Sequence, residues 1–383
     1  MKSLLNSKYA YLVYPIFGQL AILLTFMHVP YDFWLSLWAL PLLIIAITFI
    51  SQSIYPKKFT IDKSYIQIFY ARKHRKFILT LAWLIIVSMP IDILVNGFKL
   101  LNPLTYAEFN GYGRYVRHIS SLCWILIPIA FIFINNKRFK QLLIVLAILF
   151  PILIIDRNRL FIAFYSLFFC IIFSPTTTKI RPNLGYKTII LIIVAVLIFG
   201  LLGQFRSGDA FFVESSGESF TEGAFPLKDF FYLMPSIIQQ VILYLTTPLL
   251  NFATIFYDGF TNSDFLLSQF SPFDRDSYDA YPYAPLLVAR FNVGTEYFPW
   301  LLYGGFNYVV AAVITLIITF FSAYSILKRF PNIFTFLIFL KVSYIVIFSG
   351  FAPQFYLLMN LVFILMMVSF WAFASLFSRN AAV

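Results

Sequence analysis

Charge is scarce in this chain: 11% of its 383 residues are Asp, Glu, Lys or Arg, against about 25% in an average soluble domain. With 61% hydrophobic residues, a globule in water could not cover itself with polar groups, which excludes a soluble fold. Cysteine is scarce too. Cys123 and Cys170 both fall inside apolar runs, with no metal-ligand spacing and no disulfide framework. The Walker loop, HExxH, GxSxG and GxGxxG are absent, which removes support for nucleotide-driven transport, zinc proteolysis and elbow-type hydrolysis. No internal repeat or low-complexity tract is evident, which weakens an inverted-repeat transporter.

Long apolar runs fill most of the chain. Taking about 20 residues per span, candidate spans lie at 10–29, 33–54, 77–95, 119–135, 141–155, 160–175, 188–205, 301–326, 333–350 and 354–377. Helices are expected because lone strands cannot satisfy their backbone in lipid. The sequence therefore predicts an all-α polytopic membrane protein of about ten transmembrane helices. Lys2 and Lys8 precede the first run, but no small-residue cleavage site follows it, so it reads as an uncleaved span.

The net charge of +12 would suggest nucleic acid in a soluble protein; here its distribution matters more. With alternate loops on alternate sides, 18 of the 28 Lys and Arg share the side of the N-terminus with one acid, Asp62, and the opposite side holds 9 bases and 15 acids. The positive-inside rule then places both termini in the cytoplasm. The basic loop 55–76, with Arg72, Lys73, His74, Arg75 and Lys76, reads as anchorage to anionic membrane lipids, and no nucleic acid is needed.

Three regions follow: an N-terminal bundle of seven spans over 1–205, a large exterior loop over 206–296 between the seventh and eighth spans, and three C-terminal spans over 297–383. Within the loop, 230–257 is apolar enough to cross, yet a crossing there would leave Lys328, Arg329 and Arg379 outside. Pro235, Gln239, Gln240 and Pro248 interrupt it, so interfacial or re-entrant helices are expected.

Candidate chemistry sits at the exterior helix ends. Arg114, Arg117, Arg157, Arg159, Arg206 and Arg290 lie on the side a membrane protein keeps poor in bases. Guanidinium forks match phosphate oxygens, so together they suggest a bound diphosphate. Each alone has a local alternative, such as Arg157 with Asp156 or Arg206 with Asp209. Glu296 lies near the membrane, where desolvation would raise its pKa toward a useful base; His118 and Asp209 are the other exterior proton acceptors. Lys341 falls midway along the ninth span, as a functional cation or as a pair with a carboxylate such as Asp92. The loop pair Asp274 and Asp276 has the Asp-x-Asp spacing of metal-dependent transferases, but it reads as solvated loop, and neither a metal nor a cofactor is predicted.

This arrangement of spans, late exterior loop and exterior arginines resembles the Wzy O-antigen polymerases and, more distantly, the O-antigen ligases. Asp156-Arg157-Asn158-Arg159-Leu160 looks like the arginine that opens a span in that family, and Gly203-Gln204-Phe205-Arg206-Ser207-Gly208 looks like its loop-initial arginine. Arg206 with Gly217 fits the family's Arg-x10-Gly pattern; the corresponding position after Arg290 is Leu301. The resemblance implies a GT-C-like, metal-independent glycosyltransferase of the bacterial inner membrane with a periplasmic active face. It would transfer the growing glycan from undecaprenyl diphosphate to a sugar hydroxyl of the next lipid-linked repeat unit. Arg157, Arg159, Arg206 and Arg290 would hold the diphosphate, and Glu296, Asp209 or His118 would be the base. A chain-length regulator protein is an implied partner. A lipid-linked oligosaccharide flippase and an O-antigen ligase remain the alternatives.

Overall fold

A computed structural model of the chain describes residues 2–55, 68, 74–105, 111–173, 184–207, 227–270, 283–286, 293–355 and 358–380. Among them the secondary structure is helical, with a single isolated bridge between Met27 and Leu227. The main helices are α1 (Tyr14–Phe26), α2 (Trp34–Ile50), α3 (Arg75–Asn96), α4 (Gly113–Ser120), α5 (Leu126–Phe133), α6 (Lys137–Leu153), α7 (Arg157–Phe173), α8 (Leu184–Ser207), α9 (Ser236–Asp258), α10 (Phe298–Gly304), α11 (Phe306–Arg329), α12 (Ile333–Phe348) and α13 (Leu358–Asn380). The turn 121–125 joins α4 to α5 in one crossing-length unit, Gly113–Phe133.

Among the described residues six helical stretches are long and apolar enough to cross a membrane: Tyr31–Ile50, Arg75–Asn96, Gly113–Phe133, Ser236–Asp258, Phe306–Arg329 and Leu358–Leu376. Five of these overlap expected spans. The other expected positions carry shorter helices, namely α1, α6, α7, α8's apolar stretch Ile189–Gln204 and α12. The outward faces are apolar: Leu35, Ile45 and Phe49 on α2, Trp83, Val87 and Leu94 on α3, and Leu365, Phe373 and Leu376 on α13 are exposed. Apolar exposure on this scale fits a lipid-facing belt and not a water-facing surface.

Inside that belt, α12 is buried on every side. All residues from Ile333 to Val346 are buried, as a helix apolar around its whole circumference must be. Asn332 caps it: its side-chain oxygen accepts the N–H groups of Phe334 and Thr335, and Thr335 Oγ1 accepts the N–H of Asn332. That satisfies amide groups that would otherwise be orphaned at a buried helix start.

Side-chain contacts sort the helix ends into two layers. At one, Lys8 donates to Ser51 Oγ (3.0 Å), Tyr55 stacks on Phe321, His74 and Phe77 meet Phe334, and Phe330 meets Trp371. This layer carries Arg75, Lys76, Lys137, Arg138, Lys328 and Arg329, and is termed the basic end. At the other, termed the loop end, lie the α1–α2 and α12–α13 connections and the start of α7.

The segment 230–257 departs from expectation in one respect. It is not broken at Pro248; α9 runs unbroken for 23 residues, with Pro235 as its N-cap. Ahead of it, Phe230 and Phe231 pack on Phe26, where Lys228 N–H also bonds Phe26 O (2.9 Å); at its last turn, Tyr257 packs on Phe33 and donates to Asp32 Oδ2 (3.3 Å). The segment before α9 and the last turn of α9 thus both meet the region between α1 and α2.

One buried ion pair fixes the loop end of α3. Asp92, fully buried, accepts from Arg117 Nε through both oxygens (2.9 and 2.7 Å), from Asn96 Nδ2 (2.7 Å) and from Ser120 Oγ. This corrects the expectation that Asp92 might serve Lys341, and it makes Arg117 a structural residue. Removing one partner strands the other charge, at a cost of about 3–5 kcal/mol. Arg117→Met should therefore lower the detergent-solubilised Tm far more than Arg114→Met, which alters a partly exposed neighbour; equal Tm values would refute the assignment.

Candidate functional site

The site is organised by the first turn of α7. The connection from α6 is only three residues long, and Ile155 takes φ 54°, a left-handed conformation that is a true outlier for a β-branched residue. Asp156 follows; its Oδ1 accepts the N–H of Arg159 (3.0 Å) and its Oδ2 pairs with Arg159 Nε (3.0 Å). The expected local pair of Asp156 with Arg157 is therefore replaced by one with Arg159.

At about 100° per residue, positions two apart on a helix point in nearly opposite directions. Arg157 and Arg159 accordingly serve different cavities and do not form one clamp. Arg157 turns to α8 and α9. Its guanidinium carbon lies 4.9 Å from the Phe199 ring centre and 4.5 Å from that of Tyr244, and Nη2 donates to Tyr244 Oη (3.1 Å). Nη1 is buried without an acceptor among the described residues. Beside it, Gln240 is 1% exposed, with neither side-chain nitrogen nor oxygen partnered among the described residues.

Gly203 makes this approach feasible. A Cβ there would sit 2.6 Å from Gln240 Oε1 and 3.1 Å from Arg157 Nη1. Arg206 follows three residues later in α8. Next to Arg157 opens a cavity of about 460 Å³ between α1, α7, α8, α9 and α12, whose walls include Ile22, Phe161, Leu191, Phe199, Leu245 and Phe348. It is apolar almost throughout, a wall suited to hydrocarbon; Arg157 does not line it but lies on the ring of Phe199, which does.

Arg159 turns the other way, toward α4, α12 and α13. There a cavity of about 540 Å³ gathers His118, Asp156, Asn158, Arg159, Lys341 and Asn360. Two residues expected from sequence, His118 and Arg159, are thus brought together with Lys341. Arg159 Nη1 is buried without an acceptor among the described residues.

Glu296 lines neither cavity. It is fully buried, and its carboxylate accepts the backbone N–H groups of Gln354 and Phe355 (2.5–3.0 Å), while its own N–H bonds Ser349 O (2.6 Å). It thereby closes the α12–α13 connection. Burial pushes the neighbouring Tyr297 phenol above its ordinary range, keeping it a neutral partner for Ser349 Oγ at 3.4 Å. Gln354 Oε1 in turn accepts from Asn158 (3.2 Å) and its carbonyl from Asn360, so Glu296 supports the second cavity's wall from behind. This geometry suits a positioning residue better than the expected base.

Asp209, Arg290, Asp274 and Asp276 lie outside the described residues, as does the side chain of Arg206. Among the described residues, no three His, Cys, Asp or Glu side chains converge as metal ligands would. Gln240, Tyr244, Asn158 and Asn360 were not singled out as site residues by the sequence. Gln240 stood out only as a polar break in an apolar run, which was the available signal. No protein-family model, curated protein or solved structure matches the chain.

Hydrogen bonds to a charged group contribute about 1.5–3 kcal/mol each. Glu296→Gln leaves one amide of the 354–355 pair facing an NH₂ group, so it should lower Tm by several degrees in purified protein. A variant of wild-type Tm that has lost activity would return Glu296 to the role of base.

Proposed function

We propose that this chain is a multi-pass membrane glycosyltransferase, an O-antigen or related polysaccharide repeat unit polymerase. In this reading it transfers the growing glycan from undecaprenyl diphosphate to a sugar hydroxyl of the next lipid-linked repeat unit. The observation that carries it is Arg157, a cation with Nη1 unfilled among the described residues, stacked on Phe199 of the apolar cavity's wall and beside the α8 end that bears Arg206. A polyprenyl diphosphate has the same division, hydrocarbon beside anion.

The reaction breaks the bond between the anomeric carbon and the diphosphate oxygen and forms one from that carbon to the acceptor oxygen. The electron pair leaves with the diphosphate, where a preplaced guanidinium stabilises it. The acceptor proton goes to a base, for which His118, at the polar cavity on the other face of α7, and Asp209 are the nominees. Asp156, although it lines that cavity, is engaged by Arg159.

Orientation follows from charge: the basic end, which gathers Lys8 near the N-terminus and Trp371 near the C-terminus, is placed in the cytoplasm. The loop end then faces the periplasm of a bacterial inner membrane. A flippase would favour a water-filled passage between two similar halves, whereas the centre of the described bundle is α12, buried along its length.

Deleting the gene should leave a surface glycan ladder with a single repeat and no longer bands. Loss of even the single repeat would move the assignment to flippase or ligase. Arg157→Ala, complementing that strain at wild-type abundance, should cut elongation by about 10²–10³, the usual cost of one donor to a developing anion. A normal ladder from this variant would remove the carrier role of Arg157.

A further inference from the structure

The polar cavity on the opposite face of α7 is not needed to explain Arg157. Its most costly occupant is Lys341. The side chain is 8% exposed and sits midway along α12. Among the described residues its ammonium makes no hydrogen bond or ion pair; its recorded contacts are the rings of Tyr344 and Trp124, at 5.5 and 6.0 Å, near the limit of a cation–π contact. A bare ammonium at membrane depth is expensive, and Met or Leu would fill the space without that cost.

Asp156 and Arg159 line the same cavity as Lys341, as does His118. Asp156 is already paired with Arg159 Nε, and Arg159 Nη1 has no acceptor among the described residues. An ammonium at Lys341 therefore has no counter-ion of its own among the described residues.

The depth and entrance of the cavity indicate what supplies the missing anion. Tyr344, one turn beyond Lys341, donates to Asn158 O (3.2 Å) in the first turn of α7. Lys341 thus lies about 4.5 Å, three residues of helix rise, below the level at which α7 begins. The cavity is bounded laterally by α4 and α13, where Tyr115, Ile119, Met359 and Val362 are all exposed and all apolar or aromatic. A ligand passing between them meets hydrocarbon before it meets charge.

We propose that this cavity is a binding site for a phosphate carried on a lipid, held by Lys341 and Arg159 and entered sideways between α4 and α13. The lipid's phosphate oxygens complete the coordination of Lys341 and of Arg159 Nη1, and its chains lie along the exposed faces of the two helices. The site stands independently of the transferase reading. Its use for the acceptor, a second lipid-linked molecule across α7 from the first, does rest on that reading.

The test titrates the purified full-length protein in detergent with farnesyl diphosphate and, separately, with phosphatidylglycerol, counting bound lipids by native mass spectrometry. It is repeated in Arg157→Gln, which removes the other candidate site. In that background one lipid should still bind, and Lys341→Met or Arg159→Gln should weaken it at least tenfold, while Lys341→Arg retains it. Preference for the diphosphate identifies a polyprenyl carrier; equal binding identifies a phospholipid head group; both support the site. Should Lys341→Met fail to fold, Arg159→Gln carries the comparison, because that side chain is 20% exposed. Unchanged binding in Arg159→Gln and in any folded Lys341→Met would overturn the proposal, as would binding of glucuronate with neither lipid. Failure of the transferase reading is seen separately, as a normal glycan ladder in the deletion strain.

Discussion

The structure depends on one constraint: a chain this apolar has to gather its few charges into two layers at the helix ends and build an uncharged packing core between them. The core is α12, surrounded by α7, α11, α13 and the N-terminal helices, with Phe169, Phe320 and Tyr324 packed on its aromatic side chains. With its start capped by Asn332, nothing polar at the head of this helix need interrupt the packing. Lys341 and Ser343 are then informative exceptions. Ser343 is satisfied locally, through Leu340 O (3.0 Å) and Tyr165 Oη (2.8 Å); Lys341 is not.

At the basic end, Lys8 is bonded to Ser51, and Asn136 caps α6 by accepting the N–H groups of Arg138 and Phe139. At the loop end, Asp92 is bonded by Arg117, Asn96 and Ser120 and ties α3 to α4. Around α7, Arg157 Nη1, Arg159 Nη1 and both polar atoms of Gln240 lack partners among the described residues. Unfilled donors are costly in a dry interior, and here they belong to two guanidinium groups that flank cavities, which sets them apart from the single hydroxyl and amide atoms left unbonded elsewhere among the described residues.

Much of the helical order was legible in the sequence, since apolar run length and the asymmetry of Lys and Arg are one-dimensional signals. Pro248 was misleading. A proline ends a helix when its missing N–H and ring have no accommodation, yet a helix packed against α1, α2 and α8 carries it through its interior. Glu296 was legible as unusual but not as to why: that its carboxylate meets the amides of Gln354 and Phe355 is a contact across 58 residues, and no spacing rule encodes it. The pairing of Asp92 with Arg117 in preference to Lys341 was hidden for the same reason.

The two arginines of α7 show where sequence reasoning stops and where geometry takes over. Their separation on the helix follows from the two-residue spacing alone, but what each face meets depends on how α7 is rotated in the bundle. That rotation is set by packing: Phe161 against Phe199 and Phe348, and Tyr165 against Tyr344. Once those rings fix the helix, Arg157 is committed to the apolar cavity and Arg159 to the polar one, with Asn158 between them bonded to Tyr344 and Gln354. A single rigid turn therefore sets the spacing of two cationic sites. Asn158, held by those bonds to Tyr344 and Gln354, sits on the same turn that carries both arginines.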